Sequence, residues 1–243
     1  MRISSLLLKV FFFLLFPIVS WAATNIAQIL ESSSVTGRVM QLIILITALS
    51  LAPALLIMVT SFVRISIVLS IVRTALGLQQ APPNQVLVSL SLFLTFFIMS
   101  PTFEQSYHQG VLPMIEEKIT EEEAFPLISE PFKKFMLANT NTKELDLFSS
   151  VAKVSTETKT ENLPLHVVIP SFMISELKKA FEIGFLIFLP FLIIDIVVSS
   201  ILMAMGMMMM PPVMISLPFK IIFFVLIDGW YLIAGSLIKS FTT

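Results

Sequence analysis

Hydrophobic positions along this chain gather into long, nearly unbroken runs rather than alternating with polar ones. Past an apolar stretch near the N-terminus, the runs cover residues 41–62, 86–101, 183–205 and 213–238. A helix rises about 1.5 Å per residue and needs about 20 apolar residues to cross a hydrocarbon core of about 30 Å. The first, third and fourth runs reach that length and predict membrane-spanning helices. The second, "VLVSLSLFLTFFIMSP", would rise only about 24 Å. It must therefore be lengthened by its neighbours, thin the bilayer, or lie against protein.

Between the second and third runs lies a polar insert, residues 102–182. Its apolar residues recur at helical spacing, cut by Pro126 and Pro131, and predict a mixed, mainly helical unit. Val167, Val168 and Ile169 form a β-prone patch. After Pro170 a new helix is predicted, with Ser175 as its cap and Glu176 in its first turn. About 80 residues bury only a modest core alone, so this unit is expected to pack against copies of itself or other subunits.

The N-terminus has the order of a secretory signal. Arg2 and Lys9 precede "VFFFLLFPIVSWA", with Ser20 and Ala22 at the small-residue positions, so cleavage is predicted after Ala22. An uncleaved anchor is the alternative, and both place the residues near Asn25 outside the cytoplasm. The stretch "RISIVLSIVRTALGLQQAPPN" between the first two runs carries Arg64 and Arg73 and no acid, which marks a cytoplasmic loop. The insert holds thirteen acids against eight lysines and suits the outer face. The resulting division is a signal peptide at 1–22, a segment with the first two apolar helices at 23–101, the outer insert at 102–182, and a C-terminal helical hairpin at 183–243.

Composition sharpens this picture. The chain is 56% hydrophobic and 13% charged, against about 45–50% and about 25% in ordinary soluble domains. A net charge of −1 argues against a nucleic-acid binder. With no cysteine, disulfides, thiolate metal sites and thiol nucleophiles are excluded. The glycines are scattered and none forms a phosphate loop ending in Gly-Lys-Ser/Thr. His108 and His166 lack metal-ligand spacing, and no G-x-S-x-G elbow is present. Glu121, Glu122 and Glu123 read as a solvated helix face. No catalytic residue, cofactor or metal site is expected.

More informative are the ionisable residues within or beside apolar runs: Arg64, Asp195, Lys220 and Asp228. Each costs about 2.5–3.5 kcal/mol at mid-bilayer on insertion scales unless paired, solvated in a cavity or buried at an interface. Asp195 lies twelve residues before Met207 and Lys220 ten after Met210. Antiparallel neighbours would bring them together, as an ion pair within or between subunits. A proton- or ion-relay role for Asp195 or Asp228 is the alternative reading. Pro53, Pro190, Pro211, Pro212 and Pro218 interrupt the spans, a pattern tolerated in lipid where protein or a water-filled path satisfies the freed carbonyls.

The hairpin turn is "MAMGMMMMPPVM", with seven of the fourteen methionines. Gly206, Pro211 and Pro212 shape a non-helical loop around Met207, Met208, Met209 and Met210. Thioethers also bind soft metals, but without cysteine or a nearby histidine a metal box is a poor reading. Burial in a packed core is the bland alternative. An ion or solute transporter would show inverted internal repeats, and none is visible.

Three stretches carry a resemblance: "TSFVRISIVLSIVR", "RTALGLQQAPPNQVLVSLSLFLTFFIMSP", and "PSFMISELKKAFEIGFLIFLPFLIIDIVVSSILMAMGMMMMPPVMISLPFKIIFFVLIDGW". In this order and spacing they resemble the FliP family of the flagellar type III export gate. The resemblance implies an all-α membrane protein of proline-broken helical hairpins around a polar, mainly helical periplasmic insert, assembling as a helical ring. It implies a homopentamer joined by FliQ-type and FliR-type subunits around a pore in the bacterial inner membrane, at the flagellar basal body. The cargo would be unfolded flagellar subunits, and energy would come from the proton motive force and a separate ATPase. It further implies that Met207, Met208 and Met209 form a gasket narrowing the closed pore. The family pattern has an aliphatic residue at the fourth position, where this chain has Met210. A virulence-type secretion homologue is the second reading within the same class.

Overall fold

The computed structural model describes residues 35–154, 160–207 and 210–242. The predicted signal and its cleavage site at Ala22 lie outside the described residues, as do Met208 and Met209. All regular structure among the described residues is helical. The chain divides into two compact units, Met1–Ile57 and Met58–Thr243.

The first unit is described by helix α1, Val35–Met58. It runs on through Pro53. Its hydroxyls turn inward on their own backbone: Thr47 Oγ1 donates to the Ile43 carbonyl and Ser50 Oγ to that of Ile46, both at 2.7 Å. Polar side chains satisfied in this way suit an apolar surround.

The second unit is organised around α2, Phe62–Ala75. Ile65, Val68, Leu69, Val72 and Ala75 recur at helical spacing and are all buried. They meet Leu87 of α3 (Asn84–Ser106), Ala180 and Phe191 of α7 (Leu165–Ala204), Phe224 of α8 (Pro212–Leu226), and Ile233 and Leu237 of α9 (Gly229–Thr242). The sequence reading makes residues 64–84 a loop between two apolar runs, its side marked by two arginines; the structure instead makes Phe62–Ala75 a helix. Residues 64–75 of that stretch lie in the most enclosed helix of the unit. Arg64 is therefore a buried core residue, not a loop charge.

The backbones of α2 and α7 approach closely. A Cβ added to Gly184 would stand 2.4 Å from Ile71 Cδ1, so any larger residue there would have to displace the Ile71 side chain. Arg64 faces Glu176 on the same two helices, so the equivalent positions advance together and the pair runs parallel. In contrast, α8 runs antiparallel to α7: Asp195 meets Ser216 and Lys220, while Phe191 meets Phe223 and Phe224.

The insert contributes α4 (Leu112–Ile115), α5 (Glu121–Asn139) and α6 (Thr142–Val151). A π-turn at Tyr107–Val111 joins α3 to α4. Met136, Leu145, Leu163, Val168 and Phe172 make a second, smaller core. Several local expectations fail here. Pro126 and Pro131 lie inside α5 without cutting it. Val167, Val168 and Ile169 are helical, because α7 starts at Leu165 and continues through Pro170 and Pro190 for 40 residues. Pro218 likewise lies inside α8. Within or beside the apolar runs, the described residues leave the helix at 59–61, 205–207, 210–211 and 227–228.

Two helical stretches, Asn84–Ile115 and Leu165–Ala204, are long and apolar enough to cross a membrane. The second apolar run is thus extended by its neighbours. Helices α8 and α9, bent by 62°, pass the same test only when taken together as one broken span.

Candidate functional site

Helix α7 ends through backbone bonding that its glycine permits. Gly206 adopts φ 73° with open space where a Cβ would lie, so the conformation, not crowding, calls for glycine. Its N–H donates to the Met203 carbonyl at 3.1 Å, and the Met207 N–H to the Leu202 carbonyl at 3.0 Å. This is the paired-bond helix ending with a left-handed residue just past the cap. The chain restarts at Pro211, whose extended ψ of 117° precedes Pro212 at the first helical position of α8. Met210 N–H donates to the Met207 carbonyl at 3.3 Å. The thioethers of Met205, Met207, Met210 and Met214 are all exposed, so these four are not packed in a core.

Behind the loop, Asp195 and Lys220 tie α7 to α8 at 2.6 Å. Asp195 also accepts from Ser216 Oγ at 2.6 Å. The second bond of Lys220 Nζ, at 3.1 Å, goes to the Ala75 carbonyl. Ala75 is the last residue of α2, and the carbonyls of Arg73 and Thr74 are taken by Leu78 and Gly77. The lysine thus serves the next carbonyl of that helix end, where a cation also meets the negative end of the helix dipole. The expected antiparallel pair forms within one chain and draws in a third helix.

A second charged cluster was missed by the sequence reading. Arg64 is 1% exposed and Glu176 is fully buried. Arg64 Nε donates to Glu176 Oε2 at 2.9 Å, and one terminal nitrogen bonds the other carboxylate oxygen. That nitrogen also meets Asn139 Oδ1 at 3.5 Å. The remaining nitrogen donates to both the Ser240 carbonyl and its Oγ at 3.0 Å. Phe241 lays its ring 3.7 Å from the guanidinium carbon, a cation–π contact. Every N–H of the guanidinium is bonded, as a buried arginine requires.

The corner between α5 and α6 docks on the same stretch of α7. Ser175, expected as a helix cap, lies within the helix and accepts the Asn141 N–H at 3.1 Å. Lys179 Nζ donates to the Asn139 carbonyl at 2.7 Å, and Ser171 Oγ to the Glu144 carbonyl at 3.2 Å. The sequence predicts Glu176 as a first-turn acid favoured by the helix dipole, whereas it lies inside α7, three turns from its start, and is fully buried. The available signal was Arg64 itself: a cation in an apolar run calls for an acid, and Glu176 stands at the edge of another run.

Asp228 stands apart from both clusters, exposed at the corner between α8 and α9. Among the described residues, no group of three or more histidine, cysteine, aspartate or glutamate side chains could hold a metal ion.

These features define an all-helical protein with helices of membrane-spanning length, braced by one buried and one partly buried ion pair, with Met205, Met207 and Met210 exposed beyond its longest helix. A model of the FliP family matches residues 45–237, and the chain belongs to that family. It is 57% identical to the flagellar biosynthetic protein FliP of Caulobacter vibrioides over 209 residues, 86% of this chain and 79% of that protein. Identity to the Bacillus subtilis protein of the same name is 54% over 217 residues, covering 89% of this chain and 98% of the relative. For Aquifex aeolicus it is 52% over 203 residues, 83% and 85% of the two chains.

Proposed function

We propose that this chain is a pore-forming subunit of the flagellar type III export gate, passing unfolded flagellar subunits across the bacterial inner membrane. The chain would begin at Ala23 after signal cleavage, assemble as a homopentamer, and join FliQ-type and FliR-type subunits. The polar insert, 102–182, would face the periplasm. The observation that carries the reading is the exposed methionine loop, held by Gly206 at one end and Pro211–Pro212 at the other and backed by the Asp195–Lys220 pair. A thioether side chain is apolar enough to exclude water yet unbranched and pliable enough to fit varied passing chains. Met207, Met208 and Met209 would form the gasket, with Met210 beside them. The relatives named above are flagellar proteins, which favours the flagellar over the virulence-type machine.

The chain has no cysteine, so a single introduced thiol reports one position. A Met207→Cys variant should form a disulfide with a cysteine placed in an export substrate stalled during passage. A Val151→Cys variant, also exposed but on the insert, should not. Equal linkage at both positions, or none at Met207→Cys in a machine shown to be loaded, would count against the pore reading.

A further inference from the structure

Asp228 has a left-handed backbone, φ 53°. Its N–H donates to the Val225 carbonyl and its carbonyl accepts from Leu232, both at 3.1 Å. The next residue locks the corner: a Cβ on Gly229 would stand 2.2 Å from the Phe224 ring. The carboxylate is therefore held on a fixed corner rather than a loose loop. Around it the surface is apolar, with Leu226 80% and Tyr231 73% exposed. Helices α8 and α9 reach spanning length only as one broken span, and Asp228 sits at its break.

The left-handed turn explains a glycine, an asparagine or an aspartate. It does not explain a charge. A carboxylate amid exposed apolar side chains is retained where a cation or water meets it. No hydrogen bond or ion pair reaches this carboxylate among the described residues. Within the described apolar-run helices of this unit, a second copy's cations are already engaged: Arg64, Lys178 and Lys220 are ion-paired at home, Arg73 bonds Asn84 and Pro82, Lys179 bonds Asn139, and Lys239 is engaged.

We propose that the Asp228 corner, flanked by Leu226 and Tyr231, is the contact for a lysine or arginine carried on an apolar helix of a different chain in the same assembly. The proposal rests on the export-gate reading, which supplies such neighbours. Charge complementarity selects the partner, and the apolar rim excludes water from the pair.

The test uses the full chain, tagged and expressed in its own cell with its neighbouring genes. Asp228→Asn and Asp228→Gly both suit the left-handed turn, so each should fold and melt as the unaltered chain does in detergent. Co-purification of one particular other chain should fall on the order of tenfold in both variants, with Asp228→Glu recovering part of it. In the otherwise unaltered chain, Tyr231→Cys coupled to a photoreactive probe should label an apolar segment of that other chain bearing lysine or arginine. Native-level co-purification by Asp228→Asn overturns the contact and leaves the aspartate a backbone role or a proton-relay role. Labelling of a second copy of this chain instead overturns the choice of partner. If the unaltered chain co-purifies with no other chain, the export-gate reading itself fails, a result distinct from the other two.

Discussion

At Glu176, helix α7 grips a guanidinium whose every N–H is bonded; farther along, past Ala204, the same helix ends in exposed thioethers. The two regions are 28 residues apart on α7, which is about 42 Å of helical rise. The Arg64 junction gathers α2, the end of α5, α7 and the end of α9 through directional bonds. The loop carries side chains of low polarity and high pliability. The contrast teaches a division of labour within one helix. Shape is specified where charge is buried; on the proposed gasket reading, softness is kept where no fixed shape is wanted. Between them, the Asp195–Lys220 pair is intermediate in burial, Asp195 being 25% exposed.

The largest effect is expected at the junction. Arg64→Ala leaves Glu176 buried without its counter-ion, a change that costs about 3–5 kcal/mol in such pairs. Thermal unfolding of the chain in detergent should show a large fall in midpoint, and Phe241 should lose protection from proteolysis at the C-terminus. A stability within about 1 kcal/mol of the unaltered chain would end the distinction between junction and loop.

Next comes the hairpin pair. Asp195→Asn or Lys220→Met should cost about 1–3 kcal/mol, less than the junction because solvent reaches Asp195. The exchange of the two residues, Asp195→Lys with Lys220→Asp, should recover part of the loss if direct pairing dominates. Full recovery is not expected, since the Ala75 carbonyl and Ser216 hydroxyl are oriented for the present arrangement.

The smallest effect lies at a local cap remote from both regions. Thr120 Oγ1 accepts the Glu123 N–H at 3.4 Å, and Glu123 accepts the Thr120 N–H at 3.0 Å. Thr120→Ala should loosen the first turn of α5 by about 1 kcal/mol, read by amide exchange. Bonds from the Thr120 backbone and hydroxyl hold the Glu123 carboxyl below its ordinary value of 4.5. Its contribution is therefore complete above that value and is lost as pH falls through the lower folded value. The difference between Glu123→Gln and the unaltered chain should vanish in strong acid.

The sequence made the all-helical, membrane-length character of the chain legible, because long apolar runs have few alternatives. It also placed Asp195 opposite Lys220, since a short turn fixes the register of an antiparallel hairpin. Helix α2 was obscured because Arg64 and Arg73 made a buried segment look like a loop; burial of Arg64 depends on Glu176, 112 residues away. Prolines gave false breaks at Pro126, Pro131 and Pro190, where surrounding contacts sustain the helix. Two of the true breaks contain left-handed residues instead, Gly206 and Asp228. Met207 and Met210 are seen exposed as a loop reading requires, while Met208 and Met209 rest on sequence alone.

The claim that the methionine loop is a soft seal on a rigid frame has one direct test. Met207, Met208 and Met209 are replaced together by alanine, and ion leak is measured across membranes containing the assembled complex. Met207 is exposed, and none of the three residues is among those that make the charged junction, so the complex should form at native yield and melt as before. Leak should rise severalfold, because a narrow apolar constriction holds back ions by excluding water and alanine widens it. Unchanged leak in a fully assembled complex would contradict the seal and return the methionines to surface packing.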